Sequence, residues 1–94
     1  MSPQELAARG TLLANEGQEM QPGIWESCVY FGGDGNVYHL TAQPGKRGVV
    51  VNVSGKRSAG EYLRWVDGLF RPGELPGEQS GVHYRAARQL REIL

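Results

Sequence analysis

The stretch "IWESCVYFGGDGNVYHLTAQPGKRGVVVNVS", residues 24–54, constrains this chain more than any other. Two runs rich in aromatic and β-branched residues, "IWESCVYF" and "NVYHLTA", flank "GGDG". The glycines and the aspartate supply the positive-φ positions that a tight reversal requires, so the pair reads as a β-hairpin. "QPGKRG" makes a second turn and "VVVNVS" a third strand. The expectation is a three-stranded antiparallel meander. Its valine run predicts a last strand with at least partial cover on both faces.

The segments around the meander read as helices. "SPQELAARGTLLANEG" opens with Ser2 as N-cap, Pro3 at the first helical position and Glu5 closing a capping box, with Gly17 as the stop. Leu6 and Leu13 lie seven apart on one stripe, while Gly10 weakens the middle. "SAGEYLRWVDGLFRPG" repeats the logic with Ser58 and Glu61, and ends at Pro72 and Gly73. Tyr62, Val66 and Leu69, widened by Leu63, Trp65 and Phe70, make a face broad enough to cover a sheet. "PGELPGEQSG" reads as a loop. "VHYRAARQLREIL" is a last helix with Val82, Ala86, Leu90 and Ile93 as its buried edge. The fold class is therefore α+β, order α-β-β-β-α-α: an N-terminal helix over 1–17, a sheet over 24–54 and a helical pair over 58–94.

Ninety-four residues make one domain with one modest core. Ten basic groups balance ten acidic ones, so the chain as a whole is no electrostatic nucleic-acid binder. The distribution is uneven. Residues 1–43 hold one cation, Arg9, against five carboxylates, whereas residues 44–94 hold nine cations against five. If the halves separate in space, one face meets an anionic partner; if they interleave, the fields cancel. The lone Cys28 excludes an internal disulfide and fits a reducing cytoplasm. No secretory leader and no membrane span is expected.

Catalytic and metal motifs are weak. "GGDGN" resembles the phosphate cradle of certain lipid and NAD kinases, but it sits between two antiparallel strands in a chain too short for that domain, and it reads as a turn. Asp34 and Asn36 lack the further oxygen ligands of a calcium loop, and one Cys with two distant His gives no zinc chelate. His39, eleven residues beyond Cys28 on the paired strand, makes a nucleophile–base pair conceivable, yet Cys28 serves as readily as a small interior hydrophobe. His83 reads as solvated or capping. No catalytic residue, metal or cofactor is expected.

The remaining candidates are for partner binding. Lys46 with Arg47 and Lys56 with Arg57 bracket the valine strand, which at six residues spans ~20 Å, so they fall at opposite ends. Only Lys56 and Arg57, beside the second helix's N-terminus, are placed to join that helix end in holding an anion. Arg85, Arg88 and Arg91 recur every third residue on the last helix and form either a patch or a solvated face. Trp25, Tyr30, Phe31 and Tyr38 cluster in the hairpin; Tyr30 and Phe31 point to opposite faces by alternation, so one of these two is expected to escape the core and anchor a partner, unless the first helix covers the second face.

"VYFGGDGNVYHL", "SAGEYLRWVDGLFRPG" and "AARQLREI" together resemble, over roughly residues 28–93, the small phage-encoded anti-CRISPR inhibitors of type I-F surveillance complexes. The likeness is one of architecture, with a Ser-capped helix carrying Trp65, Gly68 and Leu69 before a Pro-Gly loop. It implies a non-catalytic protein that occludes a nucleic-acid-binding surface of a host complex. Two functions stand: a protein-binding module using Tyr30, Tyr38 and the basic residues, or a nucleic-acid-binding accessory protein using Lys56, Arg57, Arg85, Arg88 and Arg91.

Overall fold

The computed structural model describes residues 1–69 and 81–94. It is α+β, with one sheet of four antiparallel strands in the order β1-β2-β3-β4. The elements run α1 Pro3–Arg9, β1 Thr11–Gln21, β2 Ile24–Phe31, β3 Asn36–Gly45, β4 Gly48–Ser58, α2 Ala59–Asp67 and α3 Gly81–Ile93. The meander is therefore present with one strand more than expected. Phe70, Pro72, Gly73 and the rest of the loop before Gly81 lie outside the described residues.

The extra strand comes from the segment read as the second half of a helix over 1–17. The start of that helix is as expected: the Ser2 hydroxyl accepts from the Glu5 amide at 3.1 Å and donates to the Glu5 carboxylate at 3.2 Å. It ends at Arg9, where the Gly10 amide closes on the Leu6 carbonyl at 2.8 Å. A methyl at Gly10 would meet that carbonyl oxygen at 2.8 Å and the Phe31 carbonyl oxygen at 3.3 Å, so glycine is needed where helix turns into strand. Thr11 onward then pairs with β2, from Thr11 opposite Phe31 to Gln21 opposite Ile24. Pairing satisfies the outer backbone groups of β2, and that outweighs the weak helical preference of a segment containing Gly10, Asn15 and Gly17. Leu6 and Leu13 share no stripe; they end on opposite faces of the sheet.

Each face has its own cluster. On one face Leu6 of α1 joins Cys28, Tyr30, Tyr38 and Leu40 of the sheet. On the other face α2 and α3 cover Leu13, Ala14, Val29 and Val37 with Tyr62, Val66, Val82, Ala86, Ala87 and Leu90. Each fully buried large apolar side chain contributes about 1.5–3 kcal/mol. Ile93, expected on the buried edge of α3, is 44% exposed at the helix's last position.

"GGDG" is the turn between β2 and β3, with Gly35 at φ 86° and the Asp34 carboxylate accepting from the Asn36 amide at 3.1 Å. Pairing of β3 with β4 is in continuous register from Gly45 opposite Gly48 to Leu40 opposite Val53. A bulge then inserts Ser54, and pairing resumes with His39 opposite Gly55. β1 is more broken, with irregularities between Leu12 and Ala14, between Glu16 and Glu19, and between Glu19 and Gln21. At the second of these the Gln18 amide is satisfied by the Glu26 carboxylate at 3.2 Å.

Replacing Gly10 by alanine is expected to destabilise the fold by about 1–3 kcal/mol through overpacking at the junction. Gly33→Ala, where an added methyl meets nothing within 4 Å, should stay within about 0.5 kcal/mol of the parent. Urea titration followed by tryptophan fluorescence measures both.

Candidate interaction surface

Strand register decides the fate of the chemical candidates. Cys28 lies opposite Leu40 and Val29 opposite His39, so Cys28 and His39 point to opposite faces. Cys28 is fully buried, and that burial pushes its thiol above its ordinary pKa, which suits a packed hydrophobe rather than a nucleophile. Among the described residues, no three His, Cys, Asp or Glu side chains come together as a metal site.

His39 and His83 instead belong to a stacked cluster between β3 and the helices. The His39 ring meets His83 edge-on at 4.6 Å between centroids, and Trp65 meets His83 the same way at 4.8 Å. The Tyr62 hydroxyl bonds to His83 Nδ1 at 2.9 Å, and the Ser27 hydroxyl to His39 Nε2 at 2.9 Å. The Arg57 guanidinium lies 4.0 Å from the Trp65 ring centroid. His83 is thus half-buried packing, not a solvated cap. Burial first, then the neighbouring His39 and Arg57, lowers its pKa to about 4; burial and Arg57 lower that of His39.

The expected binding aromatics are also interior. Tyr30 and Tyr38 are each 2% exposed, because α1 covers their face, which overturns their role as exposed anchors. Their hydroxyls are used internally, Tyr30 donating to the Gly23 carbonyl and Tyr38 to the Asp34 carboxylate. Burial pushes the Tyr30 hydroxyl up to about 12, and the Tyr38 hydrogen bond holds the Asp34 carboxyl below the usual range.

The basic residues are dispersed. Lys56 lies opposite Tyr38 and Arg57 opposite Val37, so their side chains leave on opposite faces and form no joint anion clamp. The Lys56 ammonium sits 5.8 Å from the Tyr38 ring centroid, while Arg57 stacks on Trp65. The α2 N-terminus is capped by Ser58, whose hydroxyl accepts from the Glu61 amide at 3.3 Å. On α3, Arg91 pairs with Asp67 at 2.7 Å and Arg85 donates to the Asn15 carbonyl at 2.8 Å. Arg88, with no hydrogen-bond or ion-pair partner among the described residues, shares with Arg85, Gln89 and Glu92 an open groove against Leu13, Ala14 and Asn15. The three arginines do not form one patch.

What stands open is the outer half of the β3–β4 hairpin. Val50 and Val53 are each 44% exposed, and residues 43–48 at the tip are exposed throughout. The valine run is therefore not covered on both faces: α1 and α2 reach only its other end. Among the described residues no strand lies beyond β4. Residues 36–58 contain Lys46, Arg47, Lys56 and Arg57 and no acidic residue, whereas β1 at the opposite edge carries Glu16 and Glu19 and no cation. The uneven charge of the sequence thus becomes a basic edge and an acidic edge. The sequence signal for this surface was the valine run itself, read as a strand with at least partial cover on both faces. The His83–Trp65–Arg57 stack had no local signal, since it joins three separate elements.

No family model, curated protein or solved structure matches this chain.

The histidine cluster makes stability depend on pH. Unfolded, His83 takes up a proton near its ordinary 6.5; folded, only near 4. The unfolded chain therefore binds more protons between those values, and stability present above pH 6.5 is lost as pH falls through the window. His39, shifted the same way, adds to the loss. Urea midpoints measured from pH 7.5 to 4 should fall, and His83→Phe should flatten the profile.

Proposed function

We propose that this chain is a small non-catalytic protein that acts by binding another protein, with the outer β3–β4 hairpin as its working surface. The observation that carries the reading is the free outer edge of β4, a strand that exposes Val50 on one face and Val53 on the other, with Lys46, Arg47 and Lys56 and no carboxylate in the stretch 36–58. An unpaired strand edge is a ready template for pairing with another chain. Burial of Cys28 and its separation from His39 speak against nucleophilic catalysis by that pair. The resemblance to anti-CRISPR inhibitors extends the reading to a phage-borne inhibitor that occludes a surface of a host defence complex. The single buried thiol suits action in a reducing cytoplasm. No helix among the described residues is long and apolar enough to cross a membrane.

The acid-free stretch over 36–58 also supports a second reading, contact with a nucleic-acid backbone through Lys46 and Arg47. Buried Tyr30 and Tyr38 leave it without the aromatic platform that single-strand binders use for stacking.

Photo-crosslinking separates the two. A photoreactive residue at Val50 is expected to yield nuclease-resistant protein adducts in an extract of the source cell, and one at Ile93, equally exposed on α3, none. Lys46→Glu with Arg47→Glu should abolish the Val50 adduct. Adducts that vanish with nuclease would instead assign the hairpin to nucleic acid. So would duplex binding whose logarithmic salt slope is about −0.9 per contacted phosphate.

A further inference from the structure

We propose that the outer edge of β4, over residues 48–53, takes up an extended segment of a partner protein as a fifth strand, the segment being apolar at alternate positions and acidic at its ends; this rests on the protein-binding reading above. Three observations carry it.

The first is the contrast between the sheet's two edges. β1 is interrupted by three irregularities, holds Gly17 at φ 82°, and has its Asn15 carbonyl taken by Arg85. Bulges and charged side chains are the devices by which edge strands are kept from pairing. β4 pairs with β3 in unbroken register from Gly48 to Val53, and its own positive-φ residue, Gly48 at φ 117°, stands at the turn end of that run. A regular free edge offers backbone donors and acceptors at the spacing an added strand requires.

The second is the chemistry of its two faces. Val49, Val51 and Val53 lie opposite Pro44, Ala42 and Leu40, so they continue the apolar α1 side of the sheet. On the other side Asn52 lies opposite Thr41 and the exposed Val50 opposite Gln43, and there the Thr41 and Ser54 hydroxyls meet at 2.7 Å. An added strand would therefore place apolar side chains beside the valine row and polar ones beside Asn52.

The third is charge. Lys46 and Arg47 stand at one end of this edge and Lys56 at the other, with no carboxylate between. A second copy of the chain pairing through the same edge about a two-fold near Val51 would set Lys46 opposite Lys56, and like charges directly opposite are destabilising. A peptide with carboxylates at both ends fits instead.

The test uses the full chain, isotopically labelled, and a blocked peptide of alternating valine and threonine with two aspartates at each end. Added peptide is expected to slow hydrogen exchange of the β4 amides facing away from β3 by about tenfold or more. A lysine-ended version should give no such protection, and Lys46→Glu with Arg47→Glu should reverse that preference. Equal binding of an alternately N-methylated peptide, which cannot complete a ladder, would overturn strand addition. Equal binding of the lysine-ended peptide would overturn the assigned chemistry. Protection that rises with protein concentration alone would hand the edge to a second copy and overturn the proposal. If no peptide protects β4 while Val50 still crosslinks to protein, strand addition falls and the protein-binding reading stands; loss of both results removes both.

Discussion

The length mismatch between sheet and helices governs this molecule. A strand of eleven residues runs ~36 Å, and β1 and β4 are that long. The helix α3, thirteen residues, covers ~20 Å, and α1 with seven covers about half that. Helices this short can bury one end of a four-stranded meander, on both faces, but not its whole length. The principal extents are 44 × 27 × 17 Å, the longest exceeding the length of any one helix. The interior clusters and the open valine edge follow from that one shortage.

Much of this was legible in the residues. Both Ser-initiated caps, the "GGDG" reversal and the bounds of β2 stand as the sequence reads them, because each depends on contacts within a few positions. Thr11 to Gln21 was not legible. Its helical stripe and its strand pairing compete, and the decision rests with the free edge of β2, whose pairing reaches from Ile24, opposite Gln21, to Phe31, opposite Thr11. The aromatic set failed for a related reason. Alternation tells that Tyr30 and Phe31 face apart, but only the docking of α1 tells that Tyr30 and Tyr38 are the covered ones.

The candidate surface was legible as composition and misread as position. A triple valine suggests burial, and the neighbouring "PGKRG" suggests only a charged turn. Their meaning changes once β4 is the last strand and its tip-side half, with Val50 exposed, stays open. The cations show the same dependence on placement. Arg57, Arg85 and Arg91 are consumed by Trp65, Asn15 and Asp67, whereas Lys46 and Arg47 at the tip face solvent. A charge imbalance between the two halves of a chain acquires direction only when a meander sends those halves to opposite margins.

The Ser54 bulge carries a consequence of its own. If Ser54 paired in register with His39 instead of bulging, Lys56 would fall opposite Val37 and stand where Arg57 now meets Trp65. With it, the pleat is advanced by one step, so the planar guanidinium reaches the indole and the ammonium takes the tyrosine side. That single extra residue works as a phase adjuster between the two halves of β4.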